Sequence, residues 1–252
     1  MTLKEFFTSY PSVALGFSGG VDSSFLLREA ISCGAEIRAY YVSTAFQPAF
    51  EREDAMRLAA SLGVKPEIIE LDILSCEEVI SNPSDRCYHC KKRIFGAIAE
   101  RAASDGYTVL LDGTNASDDS ADRPGMRALK ELQVLSPLRM CGLTKEEIRR
   151  QSKEAGLFTW NKPAYACLAT RAQAGERLTA DNLKRTEAAE AALFAIGFSD
   201  FRVRHRGDDA VLEVTQSQMQ ILKEKIPQVT QILKDLGYKE VMINSEPRKP
   251  SV

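Results

Sequence analysis

Short runs of β-branched and aliphatic residues alternate with helix-period stretches through the first two-thirds of the chain. Val13 to Phe17 reads as a buried strand, followed by a helix from Asp22, a strand at Ile37 to Val42, a helix from Phe50 to Leu62 and a strand at Ile68 to Leu71. Cys76 to Asp85 reads as a loop with a short helical turn. A helix from Arg86 to Ser104 leads into a strand at Thr108 to Asp112, and Ser136-Pro137 closes a further short strand at Val134 to Leu135. Thr144 and Glu147 have capping-box spacing ahead of a helix to Ala155. Strands separated by helices predict a parallel sheet in an α/β domain.

From Gly156 to Glu176 no period is sustained, and Pro163 interrupts the segment, so it reads as a connecting loop. Beyond it the pattern predicts a helix (Thr179 to Ile196), a hairpin (Phe201 to Arg206 and Val211 to Val214), a helix (Ser217 to Leu236) and a last strand (Glu240 to Asn244). These form a small C-terminal α+β domain. The two domains are taken as 1–170 and 171–252, with the boundary free to fall between Thr159 and Gly175. No internal repeat or low-complexity tract is present.

Composition narrows the class of protein. With 33 Lys and Arg against 35 Asp and Glu, 44% hydrophobic and 27% charged residues, the chain has the balance of a globular protein and a formal net charge of -2. That balance argues against a nucleic-acid partner held by the whole surface, so any polyanion site must be local. No apolar run approaches the roughly 20 residues that span a bilayer. Met1 to Phe7 lacks the features of a secretion signal, so a cytoplasmic, reducing setting is expected, with the six cysteines present as thiols or metal ligands.

The sharpest chemical signal is Ser18-Gly19-Gly20-Val21-Asp22-Ser23-Ser24, directly after the first strand and at the start of the first helix. Glycines let backbone approach a phosphate, the serine hydroxyls add donors, and the helix N-terminus supplies positive potential. The bland alternative is a glycine turn capped by Ser18. No Gly-Lys-Ser/Thr follows, so this is not a Walker A loop. The string Ser-Gly-Gly-x-Asp-Ser resembles the pyrophosphate loop of the PP-loop ATP pyrophosphatases. The resemblance implies a doubly wound parallel sheet of the adenine nucleotide alpha hydrolase-like type and cleavage of ATP between its α and β phosphates. Asp22 suits either Mg²⁺ or the helix end. Asp112-Gly113-Thr114-Asn115 follows a predicted strand, where parallel sheets place ligands, which makes Gly113 and Asn115 candidates for contact with the nucleotide.

Cys87-Tyr88-His89-Cys90 sets two thiols three residues apart at a helix start, a spacing shared by redox pairs and metal half-sites. A third thiol, Cys167, lies in the loop between Lys162 and Arg171, whose charges could favour a thiolate. Three thiolates could hold a 4Fe-4S cluster with one iron left open for an extra sulfide. Zinc on Cys87, Cys90, Cys167 and His89, or a dithiol redox pair, are the competing readings. Cys33, Cys76 and Cys141 show no ligand spacing.

Taken with Asp85-Arg86 before and Lys91 after the cysteine pair, Arg123-Pro124-Gly125, Ser136-Pro137-Leu138, Gly142-Leu143-Thr144-Lys145, Lys162-Pro163 and Ala166-Cys167-Leu168-Ala169, these motifs resemble the LarE family over nearly the whole chain. That resemblance implies an ATP-dependent sulfur transferase of nickel-pincer nucleotide cofactor biosynthesis. A carboxylate of pyridinium-3,5-biscarboxylic acid mononucleotide would be adenylylated, pyrophosphate released, and sulfur inserted to give a thiocarboxylate. Family members with only the Cys of Ala-Cys-Leu sacrifice its sulfur, whereas those with the added Cys-x-x-Cys are similar to cluster-using enzymes. Cys87 and Cys90 put this chain with the second group, and Cys167 is the catalytic cysteine in either.

Phe201 to Arg206 alternates with period two and sets Arg202, Arg204 and Arg206 on one strand face. The resemblance implies that Arg202 and Arg204 hold the substrate's phosphate, for which guanidinium is well suited. Family members commonly carry His just before the Gly of this turn; here Arg206 precedes Gly207, and His205 is one place earlier. Glu190 and Glu213 align with acidic positions suited to a divalent metal. The expected partners are a small nucleotide-like substrate, a sulfur donor and further copies of the chain. Three other readings stay open: a tRNA-thiolating PP-loop enzyme, an ammonia-using amidation enzyme, and a non-enzymatic metal carrier that senses ATP.

Overall fold

Val13, Ala14 and Leu15 are all fully buried, the signature of a strand covered on both faces. A computed structural model describes residues 1–118 and 124–249. In chain order it gives α1 (Leu3–Ser9), β1 (Ser12–Gly16), α2 (Val21–Ser32), β2 (Glu36–Ser43), α3 (Ala49–Ser61) and β3 (Glu67–Glu70). There follow α4 (Glu77–Ile80), α5 (Arg86–Ser104), β4 (Leu110–Leu111), α6 (Pro124–Glu131), α7 (Pro137–Met140) and α8 (Lys145–Glu154). The rest is α9 (Ala180–Ala195), β5 (Phe201–Arg206), β6 (Asp209–Val214), α10 (Met219–Asp235) and β7 (Val241–Ile243).

These elements form two compact units. The first joins Met1–Ile73 to Asp85–Lys162; the second joins Leu74–Ser84 to the chain from Pro163 onward. The excursion of Leu74–Ser84 into the second unit is invisible in the hydrophobic pattern. Its ties are backbone bonds from Gly175 N–H to the Asn82 carbonyl (2.7 Å) and from Leu178 N–H to the Ile80 carbonyl (2.8 Å), the Asn82 side-chain amide donating to the Gln173 carbonyl (2.7 Å), and a bidentate Arg177–Glu77 pair.

In the first unit the sheet is parallel with order β3-β2-β1-β4, and Leu135 adds only a single bridge to Leu111 where a short strand is expected. Alternation along the strands splits the core into two layers. Val13, Leu15, Ala39 and Tyr41 pack with Phe6, Phe25, Leu58 and Ile148 on one face. Ala14, Tyr40 and Val42 pack with Phe95, Ile98, Ala102 and Leu129 on the other. Phe95, Ile98 and Ala102 form the apolar stripe that turns α5 toward the sheet. The chain after β1 runs to β2 on one side, while β4 lies on its other side, so β1 and β4 flank the switch point where α/β sheets open a crevice.

Two caps show local chemistry at work. Thr2 and Glu5 form a reciprocal capping box that starts α1. At α8, Thr144 accepts from the Glu147 N–H, but the Glu147 carboxylate turns to Arg150 and Gln151, and Arg150 draws its pKa down to about 2. In the second unit β5 and β6 pair antiparallel and β7 joins β6 in parallel. Its core is Leu193, Phe201, Val203, Leu212, Leu222 and Leu233.

Candidate functional site

The turn after β1 is built for an anion. Gly19 has φ +73°, and a Cβ there would stand 2.4 Å from the Ala55 Cβ of α3, so conformation and space both demand glycine. Gly20 occupies the N-cap of α2 without a side chain to satisfy the first helical N–H groups. Ser18 and Ser23 face each other at 3.1 Å between hydroxyl oxygens, and the Ser18 N–H donates to Ser23 Oγ at 3.3 Å. Ser24 is fully buried and its hydroxyl has no partner among the described residues. The result is a loop of N–H and O–H donors at a positive helix end.

The loop after β4 packs against it. A Cβ on Gly113 would lie 3.0 Å from the Ser23 nitrogen, so glycine here permits backbone to sit on the start of α2. Asn115 donates from its side-chain amide to Asp22 at 3.3 Å, and Lys145, first residue of α8, donates to the other Asp22 oxygen at 2.6 Å. Asp112 is buried and accepts from the Ser136 hydroxyl at 2.6 Å and from Thr114. Ser18, Gly20, Asp22, Ser23, Gly113, Cys87, Lys91, Phe95 and Met126 share one cleft of 490 Å³, the size of a small-ligand site. The cleft thus unites most of the sequence-derived phosphate residues with the first cysteine. Arg123, one of the motif residues, lies outside the described residues.

Cys87 is exposed and Cys90 partly so, neither in a disulfide, one turn apart at the start of α5. Arg86 is buried and its guanidinium donates to the Cys87 sulfur at 3.8 Å. Tyr88 and His89, between the thiols, turn to α6 and Asp85. Tyr88 donates to Glu131 at 2.8 Å, and His89 lies 3.5 Å from Asp85.

The second unit holds Cys167 in a braced loop. Arg171 is fully buried and grips Glu190 with two bonds of 2.9 Å; its remaining nitrogen donates to the carbonyls of Ala166 (2.6 Å) and Cys167 (3.3 Å). Glu190 also accepts from Tyr165 and from the Val203 N–H. Arg202 donates to the carbonyl of Ala164 at 3.1 Å and Arg204 to that of Thr170 at 2.7 Å. Three guanidiniums therefore hold the carbonyls of the segment that carries Cys167. Burial, with Arg171 and Arg248 nearby, pushes Arg202 down to about 10. Glu213 pairs with Arg204 at 2.8 Å. Glu190 and Glu213 are thus each engaged by arginine, and among the described residues no group of three or more His, Cys, Asp or Glu is assembled for a metal ion.

Sequence reasoning did not single out Lys91, Lys145, Asp112, Phe95 or Tyr165 as site residues. Lys91, Lys145 and Asp112 sit inside the quoted motifs, and the i, i+4 spacing from Cys87 to Lys91 to Phe95 could have marked one helix face. Lys162 holds Glu51 and Asp54, both at 2.9 Å.

No protein-family profile matches the chain. It is similar to the pyridinium-3,5-bisthiocarboxylic acid mononucleotide synthase of Lactiplantibacillus plantarum, at 31% identity over 92% of this chain and 85% of that protein. An uncharacterized protein of Synechocystis is 31% identical over 97% of this chain and 92% of its own length. The tRNA-specific 2-thiouridylase MnmA of Thermotoga petrophila is 27% identical over 60% of this chain and 54% of that protein. No helix among the described residues is long and apolar enough to cross a membrane. With a PP-loop at the switch point of a parallel sheet and a synthase relative matched over nearly all of both chains, the protein belongs to the LarE family of ATP-dependent sulfur transferases in the PP-loop superfamily.

Proposed function

We propose that this enzyme adenylylates a carboxylate of pyridinium-3,5-biscarboxylic acid mononucleotide, releases pyrophosphate and exchanges the activated oxygen for sulfur, giving a thiocarboxylate. The observation that carries the reading is Cys87 in the same cleft as Ser18, Gly20, Asp22 and Ser23, which puts a thiol in the cleft of the phosphate loop. ATP would lay its leaving pyrophosphate on Ser18, Gly19, Gly20, Ser23 and Ser24, with Gly113 and Asn115 closing the nucleotide side. Mg²⁺ would enter with the triphosphate, held largely by phosphate oxygens and water. Lys145 and Asn115 keep Asp22 oriented at the mouth of the helix.

The sulfur site rests on the donor set. Cys87 is exposed, Cys90 and Cys167 are partly exposed, and none is in a disulfide; as donor types, three thiolates would suit three irons of a 4Fe-4S cluster. Such a cluster supplies an open iron able to carry sulfide; without it Cys167 would have to give up its own sulfur. The chain's part is to present thiolates. Arg86 polarises Cys87, and Arg171 and Arg204 fix the backbone on either side of Cys167. Arg202 and Arg204 would receive the substrate's phosphate. Arg202 supports this, because a buried guanidinium crowded by Arg171 and Arg248 gains from an incoming anion. Glu190 and Glu213 serve this site by orienting arginines. The same reading gives a homo-oligomer working in the reducing cytoplasm with an external sulfur donor.

The test is anaerobic purification of the wild type and of Cys87→Ala, Cys90→Ala and Cys167→Ala, with iron, sulfide and zinc analysis. About four irons per chain, lost in each variant, is the expected result. Zinc, or a metal-free wild type whose Cys167 loses sulfur after one turnover, would overturn the cluster.

A further inference from the structure

Lys91 lines the nucleotide cleft and pairs with no carboxylate among the described residues. It follows Cys90 on α5 and shares a helix face with Cys87 and Phe95, and all three line the cleft with Ser18, Gly20 and Ser23. Its stem crosses Gly125 of α6: a Cβ there would lie 2.9 Å from Lys91 Cδ, 3.2 Å from Cε and 3.6 Å from Nζ. Glycine at 125 leaves the lysine its path along the wall. The neighbouring lysines are spoken for, Lys145 by Asp22 at 2.6 Å and Lys92 by Glu131 at 3.1 Å. Among the described residues Lys91 has no carboxylate and no hydrogen-bond acceptor. A cation on the wall of a phosphate cleft, with no acceptor of its own among the described residues, is placed to meet an anion.

We infer that Lys91 is a catalytic residue of the adenylyl transfer, contacting the non-bridging oxygens of the nucleotide's α-phosphate. The inference rests on the adenylylation reading given above. In that step a substrate carboxylate oxygen forms a bond to the α-phosphorus. The bond from that phosphorus to the α–β bridging oxygen breaks, and pyrophosphate leaves with the electron pair. No proton or redox partner is consumed. Negative charge spreads over the equatorial oxygens as the step proceeds, and a fixed ammonium in a cleft stabilises it more than it stabilises bound ATP. The phosphate loop, which holds the β and γ phosphates, therefore governs affinity, and Lys91 governs the rate.

The experiment compares Lys91→Met, Lys91→Arg, Gly125→Ala, the Lys91→Met/Gly125→Ala pair and Lys92→Ala. It reads pyrophosphate release with the pyridinium biscarboxylate substrate, affinity for an ATP analogue with a methylene between the α and β phosphates, and thermal unfolding. Lys91→Met should lower kcat about 100-fold, the scale of losing one transition-state donor, while analogue affinity moves less than about threefold and unfolding is unchanged. Lys91→Arg should recover part of the rate. Gly125→Ala should slow the enzyme by displacing the lysine and add nothing on top of Lys91→Met. Lys92→Ala should match wild type. An unchanged kcat, or a loss confined to nucleotide affinity, would overturn the role while leaving adenylylation standing. A wild type that releases no pyrophosphate would remove the adenylylation reading itself.

Discussion

Gly19 meets two demands at one position, and its replacement gives a direct test of the phosphate loop. Its φ of +73° costs an L-residue about 1–2 kcal/mol, and the added methyl would also collide with Ala55 at 2.4 Å, contact that includes α3 backbone. Gly19→Ala should therefore lower the unfolding temperature and weaken ATP-analogue binding at least tenfold, about 1.4 kcal/mol, measured by thermal unfolding and calorimetry. Normal binding in a stable variant would contradict the geometry. The loop residues were legible because Gly and Ser at a strand-to-helix turn carry their chemistry in one short string. The pairing of Arg171 with Glu190 was not, although each residue was read for another role. A buried bidentate pair 19 residues apart looks, in sequence, like two ordinary charges. Only the fold shows that its work is to hold the carbonyl of Cys167.

Among the elements, β5 shows how one strand serves two purposes. Phe201 and Val203 enter the core while Arg202 and Arg204 hold the Cys167 loop. His205 is 2% exposed, with Nδ1 3.2 Å from Glu176; burial lowers its pKa below the ordinary 6.5, against the pull of Glu176 and with a smaller push from Arg185. A histidine with a depressed folded value contributes stability that is complete above 6.5 and is lost as pH falls through the folded value. The unfolding temperature of the C-terminal unit should hold steady above that pH and fall below it, and His205→Gln should flatten the fall. An acid limb unaltered in the variant would assign the loss to other groups. The long amphipathic elements were readable from period alone. α1 was missed although Thr2 and Glu5 carry its capping signal, and α6 because Pro124, at its first turn, follows polar residues. Single bridges such as Leu111 to Leu135 depend on tertiary register, which no local pattern encodes.

At the level of the whole molecule, the order β3-β2-β1-β4 places the loops after β1 and β4 side by side, and α5 brings Cys87 and Lys91 to the cleft they share. The parallel sheet followed from the alternation of strands and helices; the return of Leu74–Ser84 to the second unit did not, because its ties to Gln173, Gly175, Arg177 and Leu178 join residues far apart in the sequence. The central claim is ATP-driven exchange of carboxylate oxygen for sulfur. Its most direct test is an anaerobic reaction of the reconstituted protein with ATP, Mg²⁺, sulfide and pyridinium-3,5-biscarboxylic acid mononucleotide, following pyrophosphate and the product mass together. The account predicts AMP and pyrophosphate in step with a product in which sulfur has replaced a carboxylate oxygen. Cleavage of ATP to ADP and phosphate, or pyrophosphate release with no sulfur in the product, would contradict it.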